Sequence, residues 1–470
     1  MKIFPPELVI KDYDGFVPEK DIFKRSELGE GLTNLVTSVA DPMVIALDAE
    51  WGSGKTVFLK MWAGELRKLG VPVVYFDAFA HDHLDDAFLT LAAEVIALAQ
   101  AKKGDKKPIE SFTAKAVGAS KVLASGAARL AVKAAVRGVT AGTLSAADIE
   151  DEVSDVIAQD ASNLADKQIA ELLHSTQERK DTLEAFRSAL SELPALVEKD
   201  ADGSNGADHV LEEIQNKPLI FIIDELDRCT PPFALSLLER IKHFFSVPNV
   251  QFVLGVHLDQ LANSVKATYG ADIDARSYLQ KFIHIPVPLL DTSRYENDAT
   301  AKKYVEYLTR SFKFEEEHGR LVQLIEEAII EQAQRRNMSL RTIERIYTTI
   351  AIALATLPQN RLAIAPLMVG LAILKILHPE LYREAKRGKL KYGQVEKLFG
   401  FHEPPTDSHN RHRHDWTVGF WRYTTDPEAS DEIIRKYSEY SEAMHRYHLD
   451  NRFDVLPHLA NAVLDKFTPG

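Results

Sequence analysis

Cysteine is almost absent: the chain has one, Cys229, in 470 residues. That excludes an intramolecular disulfide framework and suits a reducing compartment. Long apolar runs are also missing. A membrane-spanning helix needs about 18–20 predominantly apolar residues, and the nearest approaches, 346–360 and 362–374, are separated by Arg361, the first carrying Thr348, Thr349 and Thr356. They read as a buried helical hairpin turning at Pro358-Gln359-Asn360-Arg361. No apolar stretch marks the start, Met1-Lys2-Ile3-Phe4-Pro5-Pro6-Glu7, as a secretory signal. Positive charge is in deficit, 56 Lys and Arg against 69 Asp and Glu for a net charge of −13. A globally basic nucleic-acid binder is thereby excluded, though a local basic patch is not. No internal repeat or heptad array is present. What remains is a chain long enough for two to four domains of roughly 100–200 residues, expected in the cytoplasm.

One basic anomaly stands out. Residues 111–147 carry Lys115, Lys121, Arg129, Lys133 and Arg137 with no acidic residue, among Ala, Val and Gly. Arg129, Lys133 and Arg137 share one helix face at i, i+4, i+8. Two readings stay open: an interfacial helix meeting anionic lipid, nucleic acid or an acidic partner, or a solvated helix with its alanine-rich side on the core. Charges recur too often for a span.

Apolar runs of strand length alternate with helical patterns. Runs at 43–48 (MVIALD), 71–77 (VPVVYFD), 218–224 (PLIFIID) and 250–256 (VQFVLGV) are followed by an edge-like candidate at 284–290, with two prolines. Helical patterns cover 55–69, 87–101 and 233–245. This alternation predicts an α/β fold with a parallel sheet covered on both faces. Strand signals fade beyond 298. The expected organisation is an N-terminal segment (1–25), a sheet domain (26–290) with a helical insertion (102–216), a helical domain (291–395) and a C-terminal helical extension (396–470).

The strongest chemical signal is Ala49-Glu50-Trp51-Gly52-Ser53-Gly54-Lys55-Thr56, directly after a strand and opening a helix. That is where a phosphate-binding loop must sit. Glycines let backbone N–H groups turn inward on phosphate oxygens, and the helix N-terminus adds partial positive charge. Glu50, Trp51, Gly52, Ser53, Gly54, Lys55, Thr56 and Val57 form the expected nucleotide cradle. Lys55 is expected on the β- and γ-phosphates and the Thr56 hydroxyl on Mg²⁺. The strict pattern has Gly at position 49, and the alanine there predicts a slightly tightened loop. The second signal is Leu219-Ile220-Phe221-Ile222-Ile223-Asp224-Glu225, an apolar strand ending in an acidic pair. Asp224 is expected to hold Mg²⁺ and Glu225 to polarise the attacking water. No N-K-x-D guanine-reading motif is present, so ATP is the expected nucleotide.

These motifs, with Tyr75-Phe76-Asp77-Ala78-Phe79, Ile223-Asp224-Glu225-Leu226-Asp227-Arg228-Cys229, Phe252–Leu261 and Ser339-Leu340-Arg341-Thr342-Ile343-Glu344-Arg345, resemble the KAP family of P-loop NTPases over roughly residues 20–350. The resemblance implies a mainly parallel five-stranded sheet of the additional-strand type, with 71–77 at one end. Many members carry a membrane insertion in the interval that here holds the basic 111–147 segment. Bacterial members are associated with exclusion of phage or plasmids, which implies a role in defence. Three departures stand out: Ala49, Asp77 and Phe79 in place of Asn and Trp, and His257 where an Asp usually closes the fourth strand.

Transition-state charge needs a cation beyond Lys55. Arg228, Arg240, Lys281 and Arg341 are candidates, and Arg341 is favoured for the γ-phosphate; an Arg from a neighbouring subunit is equally open. His402, His409, His412 and His414 lack the regular spacing of a structural zinc site and read as a solvated Pro/His loop over 401–415. Trp416, Phe420 and Trp421 are expected to pack the last helices. The functional expectation is an ATP-hydrolysing switch or motor working with protein partners or further copies of itself. Alternatives are a slow or inactive nucleotide-binding scaffold and a nucleic-acid-stimulated ATPase, with peripheral membrane contact through 111–147 also open.

Overall fold

The computed structural model describes residues 8–83, 87–101, 110–116, 119, 181–191, 217–289, 297–312, 314, 319–356, 364–402, 408–437, 449 and 451–465. Within the expected insertion, 110–116 and 181–191 are helical, while Arg129, Lys133 and Arg137 lie outside the described residues. The chain divides into two compact units, one of Ile10–Ala49 and Lys55–Leu289, the other of Met1–Val9, Glu50–Gly54 and Leu290–Gly470.

The first unit is built on five strands: β1 (Met43–Asp48), β2 (Val73–Asp77), β3 (Leu219–Asp224), β4 (Val250–Val256) and β5 (Ile285–Pro288). Their order is β2-β3-β4-β1-β5, and every neighbouring pair is parallel. β4 thus separates β1 from the acidic strand β3, which is the additional-strand arrangement. β2 lies at one end, as expected. β5 closes the other edge, where the missing N–H groups of Pro286 and Pro288 are tolerated.

Strand periodicity sends alternate residues to opposite faces. Val44 and Ala46 of β1, Phe221 and Ile223 of β3 and Phe252 and Leu254 of β4 enter one core with α3 (Ala87–Ala101), α4 (Pro231–Arg240) and α5 (Leu258–Tyr269). Ile45 and Leu47, Ile220 and Ile222, and Val253 enter the other, against α1 (Ser26–Ser38) and α2 (Lys55–Lys68). Strands buried on both faces explain why they read as continuous apolar runs. Fully buried Trp62 fastens α2 to α1, its indole N–H donating to Thr33 Oγ1 at 2.9 Å. One polar residue interrupts β4: Gln251, 0% exposed. Its amide donates to Val39 O at 2.7 Å and Asp41 O at 3.0 Å and accepts from Met43 N at 2.9 Å. A satisfied amide of this kind avoids the desolvation cost of an orphaned one and sets where β1 begins.

The second unit is helical, with α7 (Asn297–Phe312), α8 (Gly319–Arg336), α9 (Leu340–Thr356), α10 (Ala365–Leu377), α11 (Pro379–Lys386), α12 (Tyr392–Phe399), α13 (Ser408–Thr425) and α14 (Asp431–Tyr437) following the short α6 (Ala275–Leu279) of the first unit. One hydrophobic core runs from Ala301 to Leu464. α9 and α10 are the expected buried pair. α9 buries the stripe Ile343, Ile346, Tyr347, Ile350 and Leu354, whereas Ala365–Leu374 is buried all round. Among the described residues no helix is long and apolar enough to cross a membrane.

The Pro/His-rich stretch requires a correction. Instead of a solvated loop to residue 415, helix α13 starts at Ser408. His414 is buried, with a ring nitrogen 3.2 Å from Phe401 O. The reason is downstream: Phe420 and Trp421, each 1% exposed, drive one face of α13 into the core and carry the polar first turns with them.

Candidate active site

β1 ends at Asp48 and α2 begins at Lys55, so residues 49–54 must reverse the chain between strand and helix. Gly52 and Gly54 do so with φ of +82° and +87°, a region side chains with a β-carbon avoid. The loop is pinned by Ala49 N donating to Val256 O at 3.1 Å and Ser53 N to Glu50 O at 3.3 Å. Ala49 is not among the residues of positive φ, so the missing glycine introduces no backbone strain. Within the unit that includes Glu50–Gly54, a Cβ at Gly52 would stand 2.7 Å from Arg341 Cβ and 3.3 Å from Arg341 N. Arg341 itself is exposed in the first turn of α9, whose N-cap Ser339 accepts from Thr342 N at 3.2 Å. Glu50 is exposed and Trp51 is 42% exposed at the loop's tip, while Val57 is half-buried in α2.

Lys55 is the first residue of α2 and 8% exposed, its Nζ donating to Ala49 O. Burial pulls its ammonium below the usual lysine value, against the attraction of Asp227, Asp224 and Asp48. A buried ammonium at the start of α2 is placed where an incoming anion would meet it.

The acidic strand supplies the counterpart. Asp224 ends β3, 2% exposed. In register it lies beside Asp77 of β2 and Gly255 of β4. Its Oδ1 accepts from Glu225 N at 2.9 Å and its Oδ2 from Tyr75 Oη at 2.8 Å, and the Thr56 hydroxyl lies near enough to favour the charged form. Burial nonetheless raises its pKa above the ordinary value, because these bonds offset only part of the desolvation. Glu225 follows in a left-handed conformation, φ +61°. Its carboxyl is also raised by burial and is pulled back by Arg228, whose Nη1 stands 2.7 Å from Glu225 Oε1. Cys229 donates weakly to Glu225 O at 3.6 Å. Burial pushes its thiol up to about 12, so it is not a reactive nucleophile.

The structure therefore brings Lys55, Thr56, Asp224 and Glu225 to the C-terminal ends of β1 and β3. Three contributors escaped the sequence reading. Tyr75 stands in the Tyr75-Phe76-Asp77-Ala78-Phe79 segment, but nothing local names Asp224 as the partner of its hydroxyl. Gly255 matters because a Cβ there would lie 2.8 Å from Asp224 Oδ1 and against Leu59 Cδ1. Arg228 was considered only as a phosphate contact, not as the partner of Glu225.

The donor set fits a hard divalent cation. Thr56 and Asp224 offer a hydroxyl and a buried carboxylate side by side. Among the described residues no group of three or more His, Cys, Asp or Glu is arranged to hold a metal alone. Mg²⁺ is usually held by one or two protein ligands together with substrate phosphates.

No curated protein matches the chain. A solved structure of the Aeropyrum pernix ORC2 protein, in its ADPNP–ADP complexes, is similar at 12% identity and a TM-score of 0.34, covering 98% of this chain and 96% of that one. The KAP family P-loop domain matches residues 27–357, a span that holds β1 through α9 and with them both the glycine loop and the acidic strand. This chain belongs to the KAP family of P-loop NTPases.

Proposed function

We propose that the chain binds ATP with Mg²⁺ at residues 50–57 and hydrolyses it, using the cycle as a switch or motor in cytoplasmic defence against phage or plasmids. The observation that carries the chemistry is the buried Asp224 carboxylate at the end of β3, hydrogen-bonded to Tyr75 and to the N–H of Glu225, the next residue in the chain. Backbone N–H groups of the glycine loop and the N-terminus of α2 receive the phosphates. Lys55 exchanges the Ala49 carbonyl for a phosphate oxygen. Thr56 and Asp224 would hold Mg²⁺, which supplies charge neutralisation on the phosphates when bound. Glu225 orients and polarises the attacking water. Arg341, beside Gly52, is the cation assigned to the γ-phosphate. The defence role is carried by the resemblance to bacterial family members.

The test is phosphate release from ATP by the wild-type chain beside Lys55→Ala and Glu225→Gln. Turnover that both variants lose supports the reading; wild-type turnover no higher than the variants would leave a nucleotide-binding scaffold. Adding DNA or RNA separates a nucleic-acid-stimulated enzyme, whose stimulation would fall steeply with salt.

A further inference from the structure

We propose that Arg228 is a positioning residue for hydrolysis: its guanidinium fixes the Glu225 carboxylate in the orientation from which it works on the attacking water. This rests on the ATPase reading above.

The local chain is built to hold this one side chain. Glu225 adopts φ +61° and ψ +23°, a left-handed conformation that is uncommon without glycine and persists only where its surroundings enforce it. Three contacts enforce it here. Glu225 N donates to Asp224 Oδ1 at 2.9 Å, while Arg228 N at 3.0 Å and Cys229 Sγ at 3.6 Å both donate to Glu225 O. The turn that results, Leu226–Arg228, is a single 3₁₀ turn closed by Arg228 N on Glu225 O. Across it the Arg228 side chain folds back on Glu225, its Nη1 meeting Oε1 at 2.7 Å.

This is unlike an ordinary surface pair, which joins two mobile exposed groups. The side chains are 30% and 17% exposed, and the backbone between them is fixed at both ends. A glutamate on a strand end has three torsions to settle. Catalytic geometry tolerates little error, and a misplacement of about 1 Å can lower a rate about a hundredfold. A guanidinium restrains the carboxylate without occupying the phosphate site itself. Arg228 thus acts through Glu225 rather than on the nucleotide.

The experiment uses the full chain as wild type, Arg228→Ala, Arg228→Gln, Arg228→Lys, Glu225→Gln and the double variant Glu225→Gln/Arg228→Ala. Affinity for ATP with Mg²⁺ and the turnover rate at saturating ATP are measured separately. Arg228→Ala and Arg228→Gln are expected to lose about tenfold or more in turnover while ATP affinity holds. Arg228→Lys is expected to recover part of the loss, and Arg228→Ala to leave the ATP affinity of the Glu225→Gln variant unchanged. Unchanged turnover in Arg228→Ala, or weakened ATP binding in either background, overturns the proposal, the latter marking a direct phosphate contact. If Arg228→Ala does not fold, the Gln and Lys variants decide by the same criteria. A wild type without turnover refutes the ATPase reading and this proposal together; an active wild type matched by Arg228→Ala refutes this proposal alone.

Discussion

Gly255→Ala is the smallest change that should disturb the site, since it adds one methyl group to a central strand. The added Cβ would lie 2.8 Å from Asp224 Oδ1 and press on Leu59 Cδ1. Leu59 is 0% exposed, yet its methyl is the end of a flexible side chain and has some freedom to turn. Asp224 has none, being tied through Oδ1 to Glu225 N and through Oδ2 to Tyr75. Overpacking of this kind costs about 1–3 kcal/mol, and loss of one hydrogen bond to a charged group adds about 1.5–3 kcal/mol. With Leu59 yielding, overpacking sits at its low end and the total falls to about 2.5–4 kcal/mol, or about 5–15 °C in Tm at the slope typical of units this size. Rotation of Asp224 should also weaken Mg²⁺-dependent ATP binding at least about tenfold, since 1.4 kcal/mol is a factor of ten. Thermal unfolding followed by circular dichroism, with titration calorimetry for ATP, reads both. Gly393→Ala is the control: its Cβ meets nothing within 4 Å and it lies inside α12, so it should stabilise by about 0.5–1 kcal/mol. Wild-type Tm and ATP affinity in Gly255→Ala would refute the close approach of β4 to Asp224.

Three further outcomes follow from the same contacts. Because burial raises the Asp224 carboxyl, the folded state holds that proton more tightly than the unfolded state. Stability without nucleotide should therefore fall as pH rises from the ordinary 3.8 through the raised value. Asp224→Asn should flatten that decline and raise the nucleotide-free Tm at neutral pH while abolishing stabilisation by ATP with Mg²⁺, which paired melts with and without nucleotide would reveal. Tyr75→Phe deletes the 2.8 Å bond to Asp224 Oδ2; it should destabilise by about 1.5–3 kcal/mol in urea unfolding and weaken Mg²⁺-dependent ATP binding. In the helical unit, Asp465 is 8% exposed and bridges Lys375 at 2.7 Å and Lys386 at 2.8 Å. These partners hold its pKa low, so its contribution is present above the ordinary carboxylate range and lost as pH falls. Asp465→Asn should cost about 1–3 kcal/mol at neutral pH and little in acid, measured by urea unfolding at both.

Much of this architecture is legible in local patterns. Runs such as MVIALD and VQFVLGV are buried on both faces, so they advertise themselves as strands without any partner being known. The glycine loop is equally local: its conformational demand falls on Gly52 and Gly54 within the motif. What escaped depends on distance in the fold. Tyr75 reaches Asp224 across 149 residues of sequence, and nothing in its own strand names that partner. Gly255 is a glycine because of what β3 and α2 place beside it, which only the sheet order discloses. Arg228 lies three residues from Glu225, but the pairing requires a left-handed kink that propensity does not foretell. At 408–414, polar composition pointed to a loop, whereas burial of Phe420 and Trp421 downstream imposed a helix.

In the proposed function, Lys55, Thr56 and Asp224 form one Mg²⁺-ATP site with Glu225 acting after binding. The most direct measurement is equilibrium ATP binding to Glu225→Gln and to Lys55→Ala, each with and without Mg²⁺. Glu225→Gln should bind ATP in a Mg²⁺-dependent manner and hold it unhydrolysed, while Lys55→Ala should fail to bind. ATP binding by Lys55→Ala as tight as by Glu225→Gln, or binding indifferent to Mg²⁺, would contradict it.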